Sequence, residues 1–275
     1  MARPQDEDAM PDDFTPPDIA LTRLRESVPL VHCITNYVAM DLAANVLLAA
    51  GGSPAMIHAE EEVADFAPIA GALTINIGTL SAPWLRAMEA AADAANGAGV
   101  PWVLDPVANF ATPYRRDAAQ RLLERKPAIL RGNASEILAL AGQSGAGKGA
   151  DSGDTVEAAE DAARALARQT GGVVAVTGPV DFVTDGSRAA RVSGGSDRMP
   201  KVTAMGCSQA GLMGGFAAVV PPLDAVVAAL VLFAEAGTQG ERASHGPGSF
   251  RVAFLDALAG ITPEDLRNAP HLAWL

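Results

Sequence analysis

The feature that most constrains the fold of this chain is an alternation of short apolar segments with longer, alanine-rich ones. The short segments, which predict buried strands, lie at residues 72–77, 100–104, 128–130 and 173–176. The alanine-rich segments, which predict helices, lie at residues 38–50, 83–96, 113–125, 134–141 and 156–169. Because two parallel strands need a crossover that is usually a helix, this alternation predicts an α/β fold with a mainly parallel central sheet.

The C-terminal third of the chain departs from this alternation. Two short apolar runs at 182–183 and 190–192 flank Asp185-Gly186, which predicts a β-hairpin. From Cys207 onward the chain is predicted to be one helix after another. The last of these helices is predicted to begin at Thr262-Pro-Glu-Asp265, where a capping threonine precedes proline and an acidic first turn.

No linker divides the main part of the chain. Residues 1–17 are acidic and rich in proline, which predicts a disordered leader, and residues 18–275 are expected to form a single domain. Residues 143–154 form the only low-complexity stretch within it, and we predict a surface loop there. Lys148 in this stretch is followed by Gly149 instead of serine or threonine, so the pattern is not a Walker phosphate loop.

Charge and cysteine usage exclude several classes of partner. With 20 Lys and Arg against 32 Asp and Glu, the net charge of −12 argues against nucleic acid or an anionic membrane as the main partner. The N-terminus lacks the basic start and apolar core of a signal peptide, and no apolar run approaches the roughly 18 residues of a membrane span. Two cysteines give neither a disulfide framework nor a zinc pattern, which favours a reducing, cytoplasmic setting.

Polar residues follow the predicted strands at the point where each strand ends. Asp105 follows the strand at 100–104, the stretch Arg131–Glu136 follows the next one, and Thr177-Gly178 follows the strand at 173–176. Each has an ordinary structural explanation, since Asp105-Pro106 can end a strand and Asn133 with Glu136 resembles a capping box. The carboxyl ends of parallel strands share one edge of a sheet, however, so these tips are expected to meet.

Together these tips have the chemistry of a nucleotide site. Asp105 and Glu136 could hold Mg²⁺, directly or through waters, because this ion binds few carboxylates and completes its shell with substrate phosphates. Arg131 and Thr177 could contact the nucleotide phosphates.

The stretch from Lys201 to Gly211 adds a predicted anion site. Gly206 is expected to make a tight turn that opens a helix, and the first N–H groups of a helix attract anions. A thiol at this position, Cys207, is expected to have a lowered pKa because the helix dipole favours the thiolate. The alternative is that Cys207 is a buried and inert cysteine. The combination of an anion cradle with an ionisable group favours phosphoryl transfer.

The remaining reactive residues carry weaker signals. Cys33 lies in an apolar segment and is expected to pack in the core, and Met56 is by default a core methionine. His58 could belong to a site or lie in solvent, and His245 and His271 receive no role.

Eleven short stretches of the chain, in order and spanning roughly Leu30 to Gly214, resemble the hydroxyethylthiazole kinases of the ribokinase-like superfamily. These stretches are Ile34–Asn36, Gly52–Met56, His58–Val63, Ile69–Leu73, Asn76–Leu80, Leu104–Val107, Ala111–Arg115, Arg131–Glu136, Ala175–Gly178, Asp181–Gly186 and Val202–Cys207. The resemblance implies a three-layer α/β/α sandwich and the ATP- and Mg²⁺-dependent phosphorylation of the primary hydroxyl of 4-methyl-5-(2-hydroxyethyl)thiazole, a step of thiamine salvage. It also implies a homotrimer whose active sites lie between subunits.

The resemblance assigns roles residue by residue. Met56, Asn36 and the backbone of Ala204 would bind the thiazole, Arg131 and Thr177 would hold ATP, and Asp105 and Glu136 would serve the metal. The N–H groups of Ala204, Met205, Gly206 and Cys207 would form the anion hole. The Cys207 thiolate would accept the hydroxyl proton late, with a modest contribution beside the backbone cradle.

One departure and three alternatives qualify this interpretation. After Asp105-Pro106-Val107 the family continues with Gly-Ala-Gly, whereas this chain has Ala108-Asn109-Phe110, which bears on the shape of that turn. A kinase of the same fold could act on another hydroxyalkyl heterocycle, of the hydroxymethylpyrimidine or pyridoxal type. A nicotinamide-nucleotide dehydratase would need aspartate in place of Cys207, and a non-catalytic protein is disfavoured by the retained Asp105, Glu136 and Arg131.

Overall fold

The computed structural model of the protein describes residue 11 and residues 13–143, 154–267 and 271–275. Its centre is a nine-stranded sheet in the order β2-β1-β3-β4-β5-β6-β7-β8-β9. The strands are β1 (Leu30–Ile34), β2 (Ser53–Ala55), β3 (Ala72–Asn76), β4 (Trp102–Asp105), β5 (Ile129–Asn133), β6 (Val173–Thr177), β7 (Val180–Thr184), β8 (Ala189–Ser193) and β9 (Leu272–Trp274). The first six run parallel, and β7, β8 and β9 add an antiparallel extension, so the predicted mainly parallel sheet and hairpin are confirmed.

Helices cover both faces of the sheet and give the expected three-layer sandwich. They are α1 (Pro17–Ser27), α2 (Met40–Ala50), α3 (Val63–Phe66), α4 (Ala82–Ala98), α5 (Pro113–Leu123), α6 (Ala134–Leu140), α7 (Val156–Thr170), α8 (Met205–Ala217), α9 (Pro222–Arg242), α10 (Pro247–Gly260) and α11 (Pro263–Arg267). Side chains of α4, α5, α6 and α7 form the apolar layer on one face, and those of α1, α2, α8, α9 and α10 form the layer on the other. Both faces of the parallel strands are therefore buried, which explains their continuous apolar composition.

Strand register brings the predicted polar tips together. Asn76 at the end of β3 is paired with Asp105 at the end of β4, and Asn133 at the end of β5 is paired with Thr177 at the end of β6. The expectation that the tips of β4, β5 and β6, with Asp105, Asn133 and Thr177, meet at one edge of the sheet is confirmed, because parallel strands place all their carboxyl ends there, whereas Asn76 was not among the predicted tips.

Helix α8 lies unusually close to the sheet. A Cβ on Gly214 would lie 2.4 Å from the Thr74 side chain, and one on Gly215 would lie 3.1 Å from Leu47. A side chain at Gly214 would push the helix away from β3, and one at Gly215 would press on Leu47 of α2. This close approach lets the N-terminal turn of α8 meet the tips of β3, β4 and β5.

Three features of the fold differ from the sequence predictions. Helix α1 begins at Pro17, and Phe14 is buried edge-on against Trp274 with ring centroids 4.9 Å apart, so the folded part begins inside the predicted leader. Strands β1 and β2 were not predicted, although β1 is as long as β3 and β6; β2 has only three residues. The chain closes on a strand, β9, after the run of C-terminal helices. Of the predicted 143–154 loop, residues 144–153 lie outside the described residues.

Helix α9 corrects the expectation that no apolar segment approaches the length of a membrane span. Among the described residues it is the one helix with the length and composition to cross a membrane. In the fold, 83% of its most apolar 18-residue window is buried. It has the surroundings of a central core helix packed against α8 and α10, since helices that are apolar on all sides are also found inside globular proteins.

Candidate active site

The N-terminus of α8 opens at Ala204, which has a left-handed backbone conformation with φ of 68° and ψ of 11°. The prediction that Gly206 makes this turn is therefore wrong, because Gly206 already lies in the first turn of the helix. Glycine is required there for another reason. A Cβ on Gly206 would lie 2.6 Å from one terminal nitrogen of Arg131 and 3.0 Å from its guanidinium carbon.

The first turn of α8 presents unpaired N–H groups. The N–H of Ser208 donates to the Ala204 carbonyl at 2.9 Å and begins the helical series. Within the described chain, the N–H groups of Met205, Gly206 and Cys207 precede that series and donate to no protein acceptor. Three donors and the positive end of the helix dipole thus point to one place, which suits a phosphoryl group.

Arg131 lies against this helix start and faces a buried carboxylate. One of its terminal nitrogens lies 3.6 Å from Asp105 Oδ2, and its Nε donates to Gln209 Oε1 at 3.3 Å. Asp105 is fully buried, and burial raises its pKa to about 7 against the opposing effect of Arg131. Asp105 Oδ1 is buried without a hydrogen-bond partner in the described protein. That oxygen is available to a cation or another donor.

Glu136 is the second carboxylate of the site and also caps a helix. Its Oε1 accepts the N–H of Ala108 and its Oε2 accepts the N–H of Asn133, both at 2.8 Å. The N–H of Glu136 in turn donates to Asn133 Oδ1, which completes the capping box of α6. Burial raises the pKa of Glu136. The structural explanation for Asn133 and Glu136 is therefore confirmed, and it leaves Glu136 facing the turn after β4.

The turn that departs from the family pattern is built around Glu136. Ala108 adopts φ of 51°, a left-handed conformation that glycine would take without strain. Asn109 is buried, and its Nδ2 donates to the Glu136 carbonyl at 3.0 Å. The side chain of Asn109 thus fixes a turn for which the resemblance implied small residues, and Phe110 is half-buried.

Sequence reasoning assigned no role to Asp181, the second residue of β7. Its Oδ1 accepts the N–H of Gly178 at 2.9 Å, and burial raises its pKa to about 7 while Arg131 opposes that shift. The neighbouring Thr177 donates its hydroxyl to the Gly132 carbonyl at 3.3 Å. The available signal was the position of Asp181 just after a polar strand tip, at the start of the hairpin.

Cys207 lies in a network of buried amides. Asn36 Nδ2 is 3.4 Å from Cys207 Sγ and donates at 2.8 Å to Asn76 Oδ1, and Asn76 Nδ2 donates at 2.7 Å to Asp105 Oδ2. Burial and, to a lesser extent, the nearby Asp105 raise the pKa of Cys207 to about 11, against the opposing effects of Arg131 and the two asparagines. The predicted lowering of this pKa is therefore wrong. Desolvation and a neighbouring carboxylate outweigh the helix dipole.

The residues predicted to bind the thiazole lie beyond β3, at the carboxyl ends of the neighbouring strands β1 and β2. Asn36 follows β1, which is fully paired between β2 and β3, and Met56 follows β2. Met56 is half-buried against Val31, Cys33 and Leu47. Cys33 is 1% exposed, so its predicted place in the core is confirmed.

An aromatic cluster borders Met56. The ring of His58 is stacked on Trp84 with centroids 4.7 Å apart, and Tyr37, which is 67% exposed, lies with its ring 4.6 Å from Trp84. His58 Nε2 accepts the N–H of Thr35 at 3.3 Å, and burial lowers the pKa of His58. His58 thus joins the end of β1 to the segment after β2.

His245 and His271 lie apart from this cluster. His245 is exposed at the end of α9. His271 Nε2 lies 2.8 Å from Glu235 Oε2, a contact between the segment before β9 and α9.

The donor set fits Mg²⁺ better than a metal that demands an all-protein shell. No group of three or more His, Cys, Asp or Glu gathers anywhere in the part of the chain that the structure describes. The free Asp105 Oδ1 offers one direct oxygen ligand, while both oxygens of Glu136 already accept backbone N–H groups. Mg²⁺ keeps several waters and binds through one or two carboxylates together with substrate phosphates, which this geometry can supply.

Solved structures place the protein in a class of α/β kinases. Its fold is similar to that of Bacillus subtilis pyridoxal kinase, solved as an ADP complex, with a TM-score of 0.61, 16% identity and coverage of 77% of this chain and 92% of that chain. At this identity the likeness shows the ribokinase-like fold alone. A hydroxyethylthiazole kinase from Pyrococcus horikoshii OT3 is much more similar, with a TM-score of 0.86, 41% identity and coverage of 94% and 98% of the two chains.

The chain belongs to the hydroxyethylthiazole kinase family, whose model matches residues 21–264. It is 63% identical over 250 residues to the hydroxyethylthiazole kinase of Roseobacter denitrificans, covering 91% of this chain and 97% of that protein. It is 61% identical over 258 residues to the enzyme of the same name from Gemmatimonas aurantiaca, covering 94% and 93%. The family implied by the sequence stretches is confirmed, and with it the assignment as a phosphotransferase.

Proposed function

We propose that this enzyme transfers the γ-phosphoryl group of ATP to the primary hydroxyl of 4-methyl-5-(2-hydroxyethyl)thiazole, as a step of thiamine salvage. The observation that carries the proposal is the meeting of three free N–H groups at the start of α8 with Arg131 and the buried Asp105. Phosphoryl transfer needs mainly positioning and stabilisation of spreading negative charge, and such a place supplies both. Membership of the hydroxyethylthiazole kinase family supports the choice of acceptor.

The two substrates approach the α8 N-terminus from opposite sides of the strand edge. Arg131 and Thr177, at the ends of β5 and β6, hold the phosphates of ATP. Met56 and Asn36, at the ends of β2 and β1, hold the thiazole, and the backbone of Ala204 borders it. The N–H groups of Ala204, Met205, Gly206 and Cys207 receive the phosphoryl oxygens between the two.

Asp105 and Glu136 serve Mg²⁺, Asp105 through its free Oδ1 and Glu136 through water. When bound, the ion neutralises negative charge that develops on the phosphates. Asp105 must be ionised for this role, and Arg131 and Asn76 favour its charged form against the effect of burial.

The raised pKa of Cys207 changes the role expected of this residue. Near neutral pH its thiol is protonated, so it orients the attacking hydroxyl as a hydrogen-bond partner before any proton moves. In a loose transition state the hydroxyl proton leaves late, and a positioned acceptor therefore contributes less than the backbone cradle.

We propose that the enzyme is a homotrimer with the thiazole site between subunits. Tyr37 and Val38 directly follow Asn36 and are 67% and 59% exposed, and Tyr37 continues into the cluster with Trp84 and His58 that borders Met56. Exposed apolar side chains beside a binding site are typical of a subunit interface. Val38→Lys should therefore dissociate the trimer in light scattering and raise the KM for thiazole, while a variant that remains trimeric with unchanged KM contradicts the proposed interface.

A coupled assay of ADP formation tests the function. We expect ATP turnover that depends on both Mg²⁺ and hydroxyethylthiazole, with Asp105→Asn as an inactive control. A panel with hydroxymethylpyrimidine and pyridoxal separates the proposal from its alternative. Turnover of either of these acceptors without turnover of the thiazole would overturn the choice of substrate.

A further inference from the structure

Asn76 occupies the centre of the site without touching the predicted position of either substrate. It lies at the end of β3, between β1 and β4, and is 3% exposed. Its side chain makes three hydrogen bonds: Oδ1 accepts from Gly78 N–H at 2.9 Å and from Asn36 Nδ2 at 2.8 Å, and Nδ2 donates to Asp105 Oδ2 at 2.7 Å. The side chain therefore joins the acceptor side of the site to the phosphate side.

The orientation of the Asn76 amide is fixed by the backbone. The N–H of Gly78 can only donate, so the atom of Asn76 that faces it must be the oxygen. The nitrogen then faces Asp105 and presents a donor to Oδ2. Rotating the amide would set a donor against a donor at Gly78 and an oxygen against an oxygen at Asp105, so one orientation is strongly favoured.

The Asn36 amide is fixed in the same way. Its Oδ1 accepts the N–H groups of Val38 and Ala39 at 3.1 and 3.0 Å, which leaves Nδ2 to donate toward Asn76 and toward Cys207 Sγ. The fit is tight, because a Cβ on Gly78 would lie 2.5 Å from Asn36 Nδ2. The two amides thus form a chain of fixed polarity that runs from Cys207 to Asp105.

We propose that Asn76 is a positioning residue for phosphoryl transfer. Through Asn36 it aims an N–H donor at Cys207, beside the acceptor hydroxyl, and through its own Nδ2 it holds Asp105 so that Oδ1 faces the phosphates. One buried side chain thereby fixes the position of the acceptor side of the site relative to the phosphate side. This inference rests on the proposed function of the site, although the geometry of the amide chain does not depend on the identity of the acceptor.

The variant Asn76→Asp tests the inference with almost no change in size. An aspartate can still accept from Gly78 and from Asn36, but it places an oxygen against Asp105 where a donor is needed. We expect kcat to fall about 30- to 100-fold, as is typical when a residue that orients a metal or phosphate ligand is changed, while the KM values for ATP and thiazole stay within threefold. Thr74→Val is the matched control, because Thr74 is buried two positions earlier on the same strand and should retain wild-type kcat.

A second readout does not depend on turnover. In a Cys33→Ala background, iodoacetamide should alkylate Cys207 of Asn76→Asp at pH 8.5 at least fivefold more slowly than the parent enzyme, because the added negative charge next to Asn36 disfavours the thiolate. Thermal unfolding checks that each variant is folded.

The two readouts separate failure of the inference from failure of the proposed function. A wild-type enzyme without thiazole turnover overturns the function, and the alkylation rate then decides on the amide chain. A kcat of Asn76→Asp within threefold of wild type, or an alkylation rate equal to that of the parent, overturns the positioning role.

Discussion

The protonation state of Cys207 gives the sharpest prediction. Burial, with Asp105 nearby, raises the pKa of this thiol to about 11 from an ordinary value of 9.0. Because each pKa unit changes the thiolate fraction tenfold at a fixed pH below both values, the folded protein should hold about a hundredfold less thiolate at pH 8 than a free cysteine does. About one molecule in a thousand would then carry the thiolate at pH 8.

Alkylation measures this fraction, since the thiolate is the nucleophile. The Cys33→Ala variant leaves Cys207 as the single thiol, and the rate of iodoacetamide labelling is followed from pH 7 to 11 beside a cysteine peptide. We expect the rate to rise about tenfold per pH unit up to pH 10 without a plateau. Burial also slows access of the reagent, so the position of the midpoint matters more than the absolute rate.

Stability supplies an independent check with a defined sign. A group whose folded pKa is raised stabilises the fold below its unfolded pKa and loses that contribution as the pH rises through the folded pKa. Cys207 should therefore destabilise the folded state between pH 9 and 11, by up to about 3 kcal/mol. The pH dependence of the unfolding free energy, compared between Cys207→Ala and the parent, isolates this contribution.

A plateau in the labelling rate by pH 8 would refute the reasoning. Such a result would mean that the dipole of α8 and its N–H groups outweigh burial and Asp105. It would also restore a thiolate proton acceptor in the resting enzyme.

Three further predictions follow from the geometry of the site and of the turn after β4. Gly206→Ala places a methyl group 2.6 Å from the guanidinium of Arg131, so the KM for ATP should rise at least about tenfold with little change in Tm; an unchanged KM contradicts a phosphate role for Arg131. Ala108→Gly removes left-handed strain at φ of 51° and should raise the unfolding free energy by about 0.5–1 kcal/mol in urea titrations, whereas a lower stability would show that the turn is not strained. Because the pKa of Asp105 is raised to about 7, kcat/KM should increase as the pH rises from 6 to 8, and Asp105→Asn should lose at least about 100-fold in kcat; a flat pH profile argues against an ionised Asp105.

Much of the architecture could be predicted because it is encoded locally. Strand and helix periodicity places β3, β4, β5 and β6 within a few residues of their observed bounds, with the largest difference at the end of β5. The rule that parallel strands share a carboxyl edge then placed Asp105, Asn133 and Thr177 at one edge of the sheet. Strand β2 escaped prediction because its three residues carry too little periodic signal, whereas β1 was missed although it is as long as β3.

Parts of the candidate site could not be predicted because the residues that contact each other lie far apart in the sequence. Asn36 and Cys207 are 171 residues apart in sequence, and Asn76 and Asp105 are 29 residues apart. Nothing local to these residues indicates which amide faces which acceptor. The raised pKa of Asp181 depends in the same way on burial, which arises only when distant segments pack together.

The sequence by itself determined an α/β fold with a helix start, two carboxylates and an arginine at one edge of its sheet, because periodicity and connection topology are local properties, and its resemblance to a kinase family indicated a phosphotransferase. Only the tertiary structure decided which residue bears the left-handed turn, Ala204 in place of Gly206, and why Gly206 must be glycine beside Arg131. It also decided that Cys207 is a neutral thiol, since burial and neighbouring charge set a pKa and both arise when distant segments pack together.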